Sequence, residues 1–345
     1  MGSVGKNLVI LGAGAIGGTL GAWLSPKYKN TYILDRGEVA EGLKSRGIIA
    51  YQQGGKEKAE TIRVQSISDL SELERVDIVV LAVKNYSLDS IAQAIQDKLD
   101  ENTIIVALQN GVENQRILPK YFKKIIYGVV SYNAWIDEPC VIGYQKKGPF
   151  ILGTPDNSLE AEMKLVSDIF NLGVETVITD HLQDAAHSKM IVNLTNSFTT
   201  LVGHGCREIN NFRLFKKILI HLLYEGVEII KASGYKECRL GGMPSWLTMT
   251  MAVKLPHFLT DGIFRKNLSK MVMSSMGQDI IQRGQSDSEL ESLNGYFIHL
   301  ADMANLKSPY NRAIYKLCQE EFKKTPFQPL DVEKVWEKVK QEMNK

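Results

Sequence analysis

The sequence predicts two domains of different class: an α/β domain built on a parallel sheet, then an all-α domain. Three observations carry this expectation. The first half alternates short apolar runs with amphipathic segments, whereas strand signals nearly vanish after about Thr179 and helical periodicity takes over. A glycine-rich turn also stands between the first apolar run and the first helical segment. The length agrees, since 345 residues make about two domains at roughly 100–200 residues each.

The elements follow in chain order. Leu8–Leu11 reads as a buried strand, Ala15–Leu24 as a helix stopped by Ser25-Pro26, and Thr31–Leu34 as a second strand. Residues 76–83 and 103–108 supply a third and a fourth strand. Between these two, Leu88, Ile91, Ala92, Ile95 and Leu99 recur at intervals of three and four, which is helical spacing. Continuous apolar strands separated by helices argue for a parallel sheet covered on both faces. The β-branched segments 125–135, 141–144, 150–152 and 174–178 are expected to extend that same sheet. Further on, residues 182–202, 211–232, 289–304, 311–323 and 332–343 all read at helical period, punctuated by Pro309, Pro326 and Pro329. Gly241-Gly242, Pro244 and Pro256 break the segment 239–270, and the apolar run 243–259 reads as core in preference to interface.

Composition excludes several classes. With 44% hydrophobic and 23% charged residues the chain is neither disordered nor fibrous. A balance of 41 Lys+Arg against 39 Asp+Glu, with no basic stripe, argues against a nucleic-acid partner. Cys140, Cys206, Cys238 and Cys318 lie far apart with no CxxC pair, so reduced thiols in a cytoplasm are expected instead of a disulfide framework or a zinc site. The scattered histidines offer no metal spacing either, and GxSxG is absent. Residues 7–26 carry no charge and so mimic a signal peptide or a membrane span, but Gly12, Gly14, Gly17, Gly18 and Gly21 are too many for a spanning helix. Lys6 stands where myristoylation of Gly2 would need Ser or Thr. A cytoplasmic protein without a membrane partner is the expectation.

Gly12-Ala13-Gly14-Ala15-Ile16-Gly17 is a G-x-G-x-x-G that follows a strand and opens a helix. The first glycine permits the tight turn, the second lets a pyrophosphate approach the backbone, and the third lets helix and strand pack closely. That context makes the N-terminal domain, residues 1–180, a Rossmann-like dinucleotide-binding domain, with residues 181–345 as the helical domain. Asp35 lies eighteen positions after Gly17, near where an acid bonds a ribose 2′-hydroxyl and favours NAD. Arg36 follows at once and is suited to the 2′-phosphate of NADP. On these two residues alone the choice stays open.

In the helical half, Lys189, Asn193 and Ser197 are spaced i, i+4 and i+8, which places them on one face of a predicted helix, with Asn196 nearly in register. A solvated outer face is the competing reading. Glu289, read by pattern alone, is a helix-start carboxylate favoured by the dipole.

The ordered set continues with Val83-Lys84, Gln109-Asn110-Gly111, Lys189-x3-Asn193, Ser274-Ser275-Met276-x-Gln278-Asp279, Glu289-Leu290-Glu291-x2-Asn294-Gly295 and Pro309-x-Asn311. Together with the glycine turn, this order resembles the ketopantoate reductase (2-dehydropantoate 2-reductase) family over nearly the whole chain. The resemblance implies NADPH-dependent reduction of a small 2-keto acid, ketopantoate to pantoate in pantothenate and coenzyme A biosynthesis. It also implies an active site between a Rossmann domain and a helical domain of the 6-phosphogluconate dehydrogenase C-terminal type, the latter serving substrate binding and dimerisation. A homodimer is one assembly open to such a chain.

By that resemblance Lys189 is the general acid toward the keto oxygen, and Glu289 orients substrate and assists the proton. Asn193, Ser197 and Ser275 hold the substrate; Lys84 and Asn110 lie near the nicotinamide ribose and substrate, and Arg36 reads the 2′-phosphate. This chain departs from the family in several places. A second asparagine expected eight residues after the lysine is Ser197, a tryptophan two residues before it is His187, and the 239–270 segment is expanded. Two other functions therefore stay open: reduction of a different 2-keto or 2-hydroxy acid, and a non-catalytic NADP(H)-binding regulator.

Overall fold

The computed structural model describes residues 5–239 and 243–345. The reading of Gly2 and the Gly241-Gly242 break lie outside the described residues. The chain divides into two compact units, residues 1–186 and 187–345.

The first unit runs β1 (Leu8–Leu11), α1 (Ala15–Leu24), β2 (Thr31–Leu34), α2 (Gly37–Ser45), β3 (Ile48–Gln52), β4 (Glu60–Ile62), β5 (Gln65–Ile67), β6 (Ile78–Leu81), α3 (Asn85–Ile95) and β7 (Ile104–Ala107). It continues through α4 (Asn114–Ile117), β8 (Ile125–Val130), β9 (Ala134–Glu138), β10 (Val141–Tyr144), β11 (Phe150–Gly153), α5 (Glu160–Asn171) and β12 (Thr176–Ile178). Eight strands form one sheet in the order β12-β11-β8-β7-β6-β1-β2-β5. The strands from β8 to β5 in that order are mutually parallel, and β11 pairs antiparallel to β8. Every residue of β1, β6 and β7 is buried, as two-sided coverage requires. The strand order reverses between β1 and β6, which is where such sheets open a crevice at their carboxyl ends.

The expectation for 125–178 needs correction. β8, β11 and β12 do extend the main sheet, but residues 134–138 and 141–144 leave it and build a second sheet, β4-β3-β10-β9. The reason lies in α1. Eight of its ten residues are buried, and a helix that is apolar all round has to be covered all round. The main sheet takes one side, and β3, β9 and β10 pack against the other. Its glycines record the closeness of this double packing. A Cβ on Gly18 would stand 2.1 Å from Ile142 Cδ1, and one on Gly21 would stand 2.5 Å from Ile33 Cδ1. The uncharged stretch that mimics a membrane span is therefore the most enclosed helix of a sandwich. Among the described residues no helix is long and apolar enough to cross a membrane.

The second unit is helical. α6 (Leu182–Asn193) spans the division, and α7 (Thr195–Leu201), α8 (Phe212–Ala232), α9 (Trp246–Lys254), α10 (His257–Leu268), α11 (Ser275–Gly277), α12 (Tyr296–Met303), α13 (Pro309–Glu321) and α14 (Val332–Met343) follow. Phe198, Phe215, Leu222, Ile314, Leu317, Val335 and Val339 meet in its core. The Pro309-x-Asn311 signature serves as a cap: Glu225 of α8 accepts from the backbone N–H of Tyr310 (3.0 Å) and Asn311 (2.9 Å) and from Asn311 Nδ2 (2.8 Å). Burial pushes the Glu225 carboxyl up to about 7, against the pull of those donors.

Two further expectations change. The helix predicted over 182–202 breaks at Leu194, between α6 and α7. The run 243–259 is not core throughout: Trp246 and Met249 are buried, whereas Leu247 (70% exposed), Met251, Leu255, Phe258 (79%) and Leu259 face solvent, and Ile263 continues the stripe.

Gly17 is the most constrained position of the first unit. A Cβ there would lie 1.9 Å from the Gly12 carbonyl oxygen and 2.8 Å from Ala82 Cβ, so α1 would have to move off β1. Gly17→Ala is expected to cost about 1–3 kcal/mol, the range of an overpacked core, read as a lower urea midpoint at unchanged m-value.

Candidate active site

In the first unit, the candidate residues lie at the carboxyl ends of β1, β6 and β7. β1 delivers the chain into the turn at Gly12, whose φ of +98° suits glycine, and the Gly12 N–H donates to Leu34 O (3.0 Å), tying the turn to β2. Gly14, the N-cap of α1, has no atom within 4 Å of where a Cβ would sit, and no side chain caps the helix. An open approach to free backbone N–H groups, at a helix start with no acid in its first turn, is what a pyrophosphate needs. The residues present therefore fit a bound dinucleotide.

Asp35 ends β2 and turns to this loop. Its Oδ2 accepts from the Ala13 N–H at 2.6 Å and its Oδ1 from the Arg36 N–H at 2.8 Å. Arg36 is exposed. Lys84 is the N-cap residue of α3, just past β6. Asn110, just past β7, accepts at its carbonyl from Asn85 Nδ2 at 2.6 Å. Sequence reasoning missed the brace behind them: the buried Gln109 side chain donates from Nε2 to Leu81 O (2.8 Å) and Val83 O (3.2 Å), locking the ends of β6 and β7 together.

In the second unit, a separate group of candidate residues is built on α6 and the segment leading to α12. Lys189 is partly exposed, with Met190 and Ile191 buried beside it. Burial of the ammonium lowers its pKa to about 8, and the negative charge of Glu289 opposes that fall. The structure thus brings Lys189 and Glu289 within electrostatic range of one another, a hundred residues apart in sequence. Glu289 is buried, and its carbonyl accepts from the Leu293 N–H (3.0 Å) where a π-helical turn, residues 291–295, leads into α12. A second π-helical turn, residues 278–282, precedes it. Such turns are rare and gather at functional sites.

Asn193 closes α6 and is partly exposed. Ser275 opens α11 behind the Ser274 cap, whose Oγ accepts from the Gly277 N–H at 3.1 Å. Ser197 does not join them. It lies past the break at Leu194, is fully buried, and spends its hydroxyl on Leu194 O (2.9 Å). The break separates Ser197 from the helix that carries Lys189 and Asn193, so the three do not share one continuous helical face.

His187 takes a structural place. It stacks on Tyr235 with ring centroids 3.7 Å apart, and Nε2 lies 2.9 Å from Tyr296 Oη. The adjacent Ser188 Oγ accepts from the Cys238 N–H (2.9 Å). These contacts clamp the 235–238 loop to α6 and immobilise the helix that carries Lys189.

The ketopantoate reductase PanE/ApbA family model matches residues 8–157, and the model of the family's C-terminal domain matches residues 181–321. The chain belongs to the PanE/ApbA ketopantoate reductase family. As a member it is an oxidoreductase on a Rossmann-like nicotinamide dinucleotide-binding fold. It is 25% identical over 317 residues to 2-dehydropantoate 2-reductase of Pyrococcus horikoshii, covering 90% of this chain and 96% of that one. Its fold is similar to a D-mandelate dehydrogenase solved with NADH and anilino(oxo)acetate (TM-score 0.74, 20% identity, 92% and 98% of the two chains). It is also similar to a dimeric ketopantoate reductase of Staphylococcus aureus (TM-score 0.69, 21% identity, 92% and 99%).

A low lysine pKa next to a carboxylate gives this oxidoreductase a measurable signature. In a ¹³C NMR titration of reductively methylated protein, Lys189 is expected to deprotonate near pH 8, well below the exposed lysines. Glu289→Gln is expected to move that midpoint lower still, because the charge that supports the ammonium is gone. A Lys189 midpoint unchanged by Glu289→Gln would show that the two do not interact.

Proposed function

We propose that the chain reduces a small 2-keto acid with a reduced nicotinamide dinucleotide, with ketopantoate to pantoate, a step of pantothenate and coenzyme A biosynthesis, as the first candidate reaction. The observation that carries this reading is the buried Lys189 ammonium facing the charge of Glu289 in the helical unit, in a chain whose other unit presents an open glycine loop. The bound dinucleotide supplies the hydride; the protein positions and polarises.

The glycine loop Gly12-Ala13-Gly14-Ala15-Ile16-Gly17 takes the pyrophosphate on the backbone N–H groups that open α1, the Gly12 N–H being bonded to Leu34 O and the Ala13 N–H to Asp35, and Lys84 and Asn110 flank the nicotinamide ribose. Lys189 donates a hydrogen bond and then its proton to the keto oxygen as negative charge develops there. An ammonium of pKa about 8 is close to the working pH, which is where general-acid catalysis is most effective. Glu289 keeps that ammonium charged and orients it. Asn193 and Ser275 bind the substrate's polar groups. The assignment of NADPH as reductant rests on Arg36 alone.

A second reading, a reductase of another 2-keto acid, draws on the fold shared with D-mandelate dehydrogenase and on Ser197, buried and standing where the family has an asparagine. Turnover of ketopantoate, phenylglyoxylate and smaller keto acids, followed as loss of nicotinamide absorbance, separates the two.

Lys189→Ala is expected to lower kcat by about 10²–10⁴, the usual worth of a positioned acid, with the dissociation constant of the dinucleotide unchanged. Wild-type kcat is expected to fall as pH rises through about 8, since only the protonated lysine donates. Full turnover by Lys189→Ala would remove the assignment.

The assembly proposed is a homodimer through the stripe Leu247, Met251, Leu255, Phe258, Leu259 and Ile263. Six exposed large apolar side chains within residues 247–263 suit a surface covered by a second copy, and the similar S. aureus enzyme is dimeric. Leu247→Lys/Phe258→Lys is expected to halve the mass measured by light scattering. A monomeric wild type would end this reading.

A further inference from the structure

We infer that Asp35 sets the dinucleotide preference of this chain and sets it toward NADH, against the NADPH assignment that Arg36 suggests. The inference rests on the dinucleotide-binding reading of the glycine loop.

The decisive feature is how the carboxylate is held. β1 and β2 pair in parallel with Leu11 opposite Leu34, so Asp35 stands beside Gly12 at the head of the loop. Each of its oxygens is engaged by a backbone donor, Oδ2 by Ala13 N–H at 2.6 Å and Oδ1 by Arg36 N–H at 2.8 Å. The negative charge is therefore fixed against the turn that takes the pyrophosphate, and it cannot swing away without losing two charge-assisted bonds. A carboxylate offers about four lone-pair positions, of which two are used. The remaining positions suit the ribose hydroxyls of NADH, which donate. A 2′-phosphate offers that carboxylate no hydroxyl and brings a like charge to a fixed anion.

The surrounding charges favour the same outcome. A 2′-phosphate would look for the start of α2, the nearest helix N-terminus after β2, but that first turn already carries Glu38. Arg36 is the single cation among residues 35–38. It is the N-cap of α2 in extended backbone (φ −131°, ψ 167°) with an exposed side chain. One exposed guanidinium thus opposes one carboxylate held by two backbone donors and a second, Glu38, two residues after Arg36. The Ala13 N–H is already bonded to Asp35 and is not available to a second anion.

The test is direct binding, measured by fluorescence titration of the full-length protein with NADH and NADPH. Wild type is expected to bind NADH about tenfold or more tightly than NADPH, a difference of about 1.4 kcal/mol. Asp35→Asn keeps one acceptor for the Ala13 N–H but removes the charge and turns the second oxygen into a donor, so it is expected to tighten NADPH about tenfold or more and to weaken NADH. Arg36→Ala is expected to leave NADH binding within about threefold. NADPH bound more tightly than NADH by wild type overturns the inference, and so does an Asp35→Asn variant with an unchanged ratio of the two constants. Failure to bind either dinucleotide overturns the underlying reading of the loop as well, and is distinguishable from both.

Discussion

Much of the first unit follows from one contact, the approach of Gly17 to the carbonyl oxygen of Gly12. No side chain fits at 1.9 Å from that oxygen. Because α1 can come this close to β1, its start lies directly over the carboxyl end of the sheet, with the N–H groups of its first turn free of a side-chain cap. The same closeness brings α1 within reach of a second sheet on its other side. The helix is then enclosed twice, and the buried Thr19–Tyr132 hydroxyl pair, 2.8 Å apart, stitches it in place. An anion site and a rigid core thus come from one packing requirement. A dinucleotide site benefits from this, because backbone donors fixed in advance need no reorganisation when charge arrives.

The helical unit addresses a different problem, how to keep an ammonium in a desolvated place without losing its proton. Burial alone moves Lys189 down, and Glu289 moves it back part of the way. Burial is the larger influence and Glu289 opposes it, so the outcome near 8 depends on the position of both helical segments. The clamp of His187, Tyr235 and Tyr296 restricts α6, the helix that carries Lys189, and the Glu225 cap separately ties α8 to the head of α13.

Parts of the site were legible in the sequence because their constraint is local. The G-x-G-x-x-G states its own geometry, since each glycine answers a backbone need within six residues. The Lys189–Asn193 pair needs only one helical turn to share a face. Ser197 failed for the complementary reason. The break at Leu194 and the burial of its hydroxyl come from packing in the second unit, and periodicity carries no trace of either. The second sheet was missed likewise: 60–62 is three residues long and carries Glu60 and Thr61, and the sequence of 48–52 does not show that it pairs with β10 instead of joining the main sheet.

What the sequence determined by itself is therefore the class of each unit, the glycine loop and the family, all of which rest on order and spacing along the chain. The tertiary structure alone decided which way Asp35 turns, because that depends on a hydrogen bond to a residue 22 positions away. It alone decided the acidity of Lys189, because that depends on a carboxylate a hundred residues away and on the neighbours that exclude water. Electrostatics at short range depends on distance in space and on desolvation, and neither quantity is a property of the chain until it has folded.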